Sequence, residues 1–291
     1  MHVLENEFLS VGILNKGAEL CSISNKINGL EYLWQAEPSV WAFHAPNLFP
    51  VVGNCLHNQI QIEGIKYPMQ RHGFARHSQF VLTENSANHA VFTLDYSGDT
   101  LAVYPYKFSF QVSYHLEDTE ITIVYKVINK DDKPIFFSIG AHPAFNIPFS
   151  KDGAYDDYYI EFDQEEVLIK HLFNDAGFFT GETEQVYLDS GSGRLNLSKD
   201  LFRDGALVFK ELLSKEVLIR NHQSPNFVSV SYEDFNSLGI WAAPDAPFVC
   251  IEPWLGYADN TGELKEFSEK DGIQKLEISK VFECSFTIGI N

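Results

Sequence analysis

Three short segments bring together side chains that move protons: RHGFAR at 71–76, GAHPAFNIP at 140–148 and IEPWLGYAD at 251–259. Each pins one titratable group, His72, His142 or Glu252, among Gly, Pro and aromatic residues. Imidazole and carboxylate are the groups most often used for proton transfer near neutral pH. Glycine and proline fix unusual backbone turns, and aromatic rings offer flat faces to a sugar. Two histidines, a glutamate and several aromatics point to acid–base chemistry on a neutral polar ring.

Each group also has a plainer reading. His72, followed by Gly73 and flanked by Arg71 and Arg76, suits a turn as well as a site. Pro143 drives His142 toward extended backbone at the mouth of a strand, where Asn146 can bond a polar ligand; the alternative is a core histidine bonded to backbone. Glu252 follows the apolar run PFVCI. Burying a carboxylate there without partners is costly and raises its pKa, which suits a general base. The alternative is a salt bridge at a strand end. Trp254 and Tyr257 supply stacking faces, with Trp41 and Phe43 behind them.

Other chemistries are disfavoured. No HExxH, GxSxG or GxxxxGKS motif occurs, which argues against a zinc protease, an α/β-hydrolase or a P-loop enzyme, and no metal is expected. The four cysteines, Cys21, Cys55, Cys250 and Cys284, have no CxxC spacing and read as free thiols in a reducing compartment. A formal charge of −19 argues against nucleic acid or an anionic membrane as a partner. With no signal peptide or apolar span evident, the expectation is a cytoplasmic protein.

The elements that must position these groups are strands. KFSFQVSYHL from 107 and EITIVYKVIN at 120–129 alternate apolar and polar residues and read as an antiparallel meander. IQIEGIKYPM reads as a hairpin turning at Glu63-Gly64. Further strands are expected at 79–84, 89–96, 158–163, 216–220, 227–232, 239–243, 247–251 and 280–289. Only 153–157 and 263–270 look helical. YSGDT at 96–100 reads as a turn, and DQEE at 163–166 as a solvated face. The loops at 150–157 and 174–193 do not look like boundaries, so the reading is one all-β domain over 1–291, a large sandwich.

Taken together, the motifs resemble the aldose 1-epimerase (galactose mutarotase-like) family, most nearly its LacX-like branch. The matching stretches are NLFPVVG (47–53), YPMQRHGFAR (67–76), GAHPAFNIP (140–148), LFRDGALVF (201–209) and IEPWLGYAD (251–259). The resemblance implies an antiparallel β-supersandwich and an isomerase that interconverts the α and β anomers of a free hexose such as galactose or glucose. It implies Glu252 as general base on the C1 hydroxyl, His142 as general acid at the ring oxygen, and His72 holding the sugar, with no cofactor. Arg71, Arg76, Asn54, Asp204, Asn146 and Trp254 are the implied substrate-binding residues. Two positions depart from the family pattern. Asn54 stands where an arginine usually follows the FPxxG turn, and Gly205 stands where an aspartate is usual, with Asp204 one residue earlier. A hexose-6-phosphate epimerase, or a binding protein that kept the pocket and lost catalysis, are the alternatives. The partner expected is a small sugar, and an edge strand or sheet face could support a homodimer.

Overall fold

The expected meander becomes two ten-residue strands, Phe108–Glu117 and Glu120–Asn129, paired antiparallel along their full length. They belong to a nine-stranded sheet, described here from a computed structural model that covers residues 1–149, 153–189 and 193–291. Parts of the two polar loops, 150–152 and 190–192, lie outside the described residues. From one edge the sheet runs Arg194–Asn196, Tyr158–Phe162, Glu216–Asn221, Ser224–Ser231, Val281–Ile290, then the meander, His89–Asp95 and Val81–Asn85. A seven-stranded sheet centres on Phe248–Leu255, flanked by Ser237–Trp241 on one side and by Ile139–Gly140 and Ala144–Asn146 on the other. Leu207–Lys210, Leu168–Phe173 and Phe179–Val186 continue it outward. All of these ladders are antiparallel. The fold is the all-β supersandwich that the sequence implied.

Both sheets turn apolar faces into one buried cluster: Val217, Ile219, Val228 and Val230 from the larger, Leu207, Phe209, Leu238 and Ile240 from the smaller. Phe49 lies at its heart, stacked on Phe110 with ring centroids 4.6 Å apart. The segment carrying Phe49 is tied to the large sheet through polar groups. The Tyr125 hydroxyl donates to Asn47 Oδ1 at 2.7 Å, and Asn47 Nδ2 donates to the carbonyls of Gly17 and Ala18. Each buried polar atom here has a partner, as a low-dielectric interior requires.

Several expectations need correction. The strand read as ending at Ile251 continues to Leu255, so Glu252 sits inside it. The residues at 153–157 and 263–270 form only 3₁₀ turns, Tyr155–Asp157 and Phe267–Glu269. YSGDT opens a single α-helical turn, Gly98–Leu101, capped by Ser97, whose Oγ accepts from Thr100 N. The DQEE run is largely exposed as read, and it also holds a turn: Asp163 accepts from the backbone N–H groups of Lys215 and Glu216, and Glu166 from that of Ser214. The Glu63-Gly64 hairpin forms as read, with both residues at positive φ. All four cysteines are free and buried. No helix among the described residues is long and apolar enough to cross a membrane.

Candidate active site

The motifs meet because their backbones lie side by side. His72 N donates to the Gly53 carbonyl, and Phe74 N and Ala75 N donate to that of Phe49, which laces 71–76 to 47–53. On the other side of 47–53, Leu48 and Gly140 exchange backbone hydrogen bonds at 2.9 and 3.1 Å. Gly140 in turn pairs with Trp254, and Ala141 N donates to the Pro253 carbonyl. The order across the site is 71–76, 47–53, 139–141, 252–255.

His142 enters where its own strand is interrupted. Ile139–Gly140 and Ala144–Asn146 pair with the two ends of Phe248–Leu255, and between them the ladder thins to single bonds, Ala141 N to the Pro253 carbonyl and Ile251 N to the Pro143 carbonyl. Pro253 faces that gap and has no N–H to leave unpaired there, which explains a proline inside a central strand.

His142 Nε2 and Glu252 Oε2 stand 3.1 Å apart, with side chains only 6% and 2% exposed. They are in ion-pair range but out of hydrogen-bond line. His142 Nδ1, Glu252 Oε2 and Trp254 Nε1 have no hydrogen-bond partner among the described residues. Aromatic rings fix the imidazole: Trp41 stacks on it at 5.0 Å, while His72 and Trp241 meet it edge-on at 5.6 and 5.8 Å. Burial pushes the Glu252 pKa well above its ordinary value, against the opposing pull of Arg71. Burial, reinforced by Arg71, lowers His142 to about 3. Both shifts have one leading cause, burial, which favours the uncharged form of each group: a protonated carboxyl beside a neutral imidazole, with one titratable proton on the pair.

His72 is buried, and burial with the Arg71 charge holds it neutral. Gly53 N–H donates to its Nδ1 at 3.1 Å, and Arg71 Nε lies 3.1 Å from its Nε2. A neutral imidazole has one acceptor nitrogen. The backbone donor is fixed by the fold and Arg71 is an exposed residue, so the assignment that follows is an Nε2–H tautomer with Arg71 as the movable neighbour.

A cavity of about 690 Å³ opens beside this cluster, within the usual range for a small-molecule site. Arg71, His72, Asn54, Asp204, Trp254 and Trp241 are among its lining residues. Asn54 is committed elsewhere, since its Nδ2 donates to the Ala176 carbonyl at 2.9 Å. Arg76 donates to the Arg71 carbonyl and lies over the Phe43 ring, bracing the 71–76 loop. Asn146 stands apart from the cavity and donates to the carbonyls of Glu31 and Leu33. The sequence did not single out Trp241 or Cys250. They are cross-strand partners beside Glu252, and nothing in local sequence marks such a pair.

A buried acid–base pair lies on the face of the smaller sheet turned away from the inter-sheet core, and a cavity with indole walls opens beside it. The chain belongs to the aldose 1-epimerase family, whose model matches residues 1–265. It is 32% identical over 281 residues to Protein LacX (plasmid) of Lactococcus lactis subsp. lactis, covering 94% of this chain and 93% of that one. The structure is similar to that of a galactose mutarotase related enzyme from Lactobacillus acidophilus (TM-score 0.94, 30% identity, covering 100% of this chain and 97% of that one). A galactose mutarotase-like protein from Lactobacillus casei is similar to the same degree (TM-score 0.94, 30% identity, all of both chains covered).

Proposed function

We propose that the protein is an aldose 1-epimerase acting on a free hexose, with Glu252 as base and His142 as acid. The observation that carries this is the buried His142–Glu252 pair at 3.1 Å, next to His72 and the cavity. In the productive form the pair's one proton sits on His142. Glu252 takes the proton of the C1 hydroxyl while His142 gives its proton to the ring oxygen. The C1–O5 bond breaks and C1 becomes a carbonyl. Rotation about C1–C2 presents the other carbonyl face, and the same transfers in reverse close the ring. Proton count on the pair is the same before and after. His72 Nε2–H donates to a sugar oxygen, and Arg71, released from the imidazole, takes the part of the arginine absent at position 54.

A neutral sugar suits the cavity better than a phosphorylated one. Two of its cationic side chains are already paired, Lys170 with Glu184 and Arg203 with Asp200. Saturation-transfer NMR on galactose, glucose and glucose 6-phosphate tests the reading. Faster exchange of the free hexoses is expected; no acceleration of any of the three would sink it.

Two further outcomes are expected. Arg71→Gln should lower kcat/KM by about 10- to 100-fold, the worth of one charge-assisted hydrogen bond. An unchanged value would remove Arg71 from the site. The pH–rate profile should stay flat from about pH 5 to about pH 8, because burial resists both adding a second proton to the pair and removing the first. A fall centred near an ordinary histidine value of about 6.5 would show two groups titrating independently.

A further inference from the structure

Cys250 lies two residues before Glu252 on the same strand, and so on the same face of the sheet. Its Sγ, a ring nitrogen of His142 and a carboxylate oxygen of Glu252 all lie within 4.8 Å of one another. That spacing places each donor no more than about 2.8 Å from a common centre, against zinc bond lengths of about 2.3 Å to sulfur and about 2.0–2.2 Å to nitrogen or oxygen. Closure by roughly half an ångström per donor completes three protein ligands, one short of the usual four of zinc. His142 Nδ1 and Glu252 Oε2 have no hydrogen bonds to surrender among the described residues. Trp41 and Trp241 pack around His142 and give the apolar surround that strengthens metal–ligand bonds. A thiolate selects a soft or borderline ion over magnesium or calcium. Spacing in the sequence could not reveal the set, because its members come from two segments far apart in the chain.

We propose that His142, Cys250 and Glu252 form a zinc site that turns the enzyme off. Binding makes three bonds to the ion and releases to solvent the thiol proton and the proton held by the His142–Glu252 pair. The acid and the base then serve as ligands and are withdrawn from the sugar. Zinc binding stands independently of the proposed activity; the inhibition rests on it.

The test uses the full chain. Zinc affinity is measured by competition with a chromogenic chelator, and cobalt(II) reports the sulfur ligand through its thiolate charge-transfer absorption. One zinc per chain and a cobalt–thiolate band are expected, and Cys250→Ser should abolish the band and weaken zinc by roughly 100-fold. Glu252→Gln keeps the thiol and should also weaken zinc, which protects the test should Cys250→Ser not fold. Equal affinity in either folded variant, or no thiolate band in the natural chain, overturns the site. Anomer exchange is followed in parallel: zinc should stop it, a chelator should restore it, and Cys250→Ser should exchange normally with or without zinc. Zinc bound with exchange unaffected overturns the inhibition. A natural chain that exchanges no anomers refutes the proposed function instead, and the zinc site is then judged on affinity and the cobalt band alone.

Discussion

Replacing Glu252 with glutamine is expected to slow anomer exchange by about a thousand-fold while the chain stays folded, the scale of losing a positioned general base. The amide fills the same volume but cannot take the C1 hydroxyl proton. Stability should move the other way, with a sign that depends on pH. Burial raises the Glu252 pKa in the folded chain, so above the ordinary glutamate range the folded state binds more protons than the unfolded one. Through this group the natural chain loses stability as pH rises through that window, while His142, lowered by burial, contributes the opposite slope in both chains. Glutamine has no such dependence. The melting temperature of the variant relative to the natural chain should thus climb between about pH 4 and about pH 8. A constant difference across that range would mean that Glu252 is not held protonated by its surroundings, and exchange at the natural rate would remove it as the base.

Gly73→Ala is the substitution expected to damage the fold most. A β-carbon at 73 would sit 2.2 Å from the Phe49 carbonyl oxygen and 2.5 Å from its carbon. The backbone there has φ +73°, a region that costs an L-residue about 1–2 kcal/mol. The Phe49 carbonyl cannot retreat freely, because it accepts from both Phe74 N and Ala75 N while its ring is locked in the core. The combined loss should reach roughly 3–5 kcal/mol, read as a shift in the urea midpoint. Gly64→Ala separates the two contributions. It shares the positive φ, at +77°, but a β-carbon there meets nothing within 4 Å. It should cost only about 1 kcal/mol. Equal losses at the two positions would refute the close approach of the 47–53 and 71–76 segments.

What the sequence revealed and what it hid follow from how local each signal is. The strands Phe108–Glu117 and Glu120–Asn129 bury one face fully and the other only in part, so they alternate cleanly and were read nearly to their ends. The three motifs were legible because each carries its own turn chemistry. The length of Phe248–Leu255 was not, since proline normally ends a central strand and the interrupted neighbour that excuses Pro253 lies over a hundred residues earlier. Phe179–Val186 was missed for a different reason: most of its residues are exposed, so no apolar pattern marks it. Within the candidate site, His72, His142 and Glu252 could be named from their segments. Their contacts could not, and neither could the diversion of Asn146 to the Glu31 and Leu33 carbonyls.

Sealing His142 and Glu252 together away from water has a kinetic corollary. An exposed acid and base exchange hydrogens with buffer ions, and their speed follows the buffer's concentration. In the proposed mechanism the hydrogen that leaves one side of the sugar is matched by one delivered to the other, and ring closure returns both to where they began. Turnover neither draws acidity from its surroundings nor sheds any. Such a catalyst runs at one pace in phosphate, in imidazole or in almost unbuffered water.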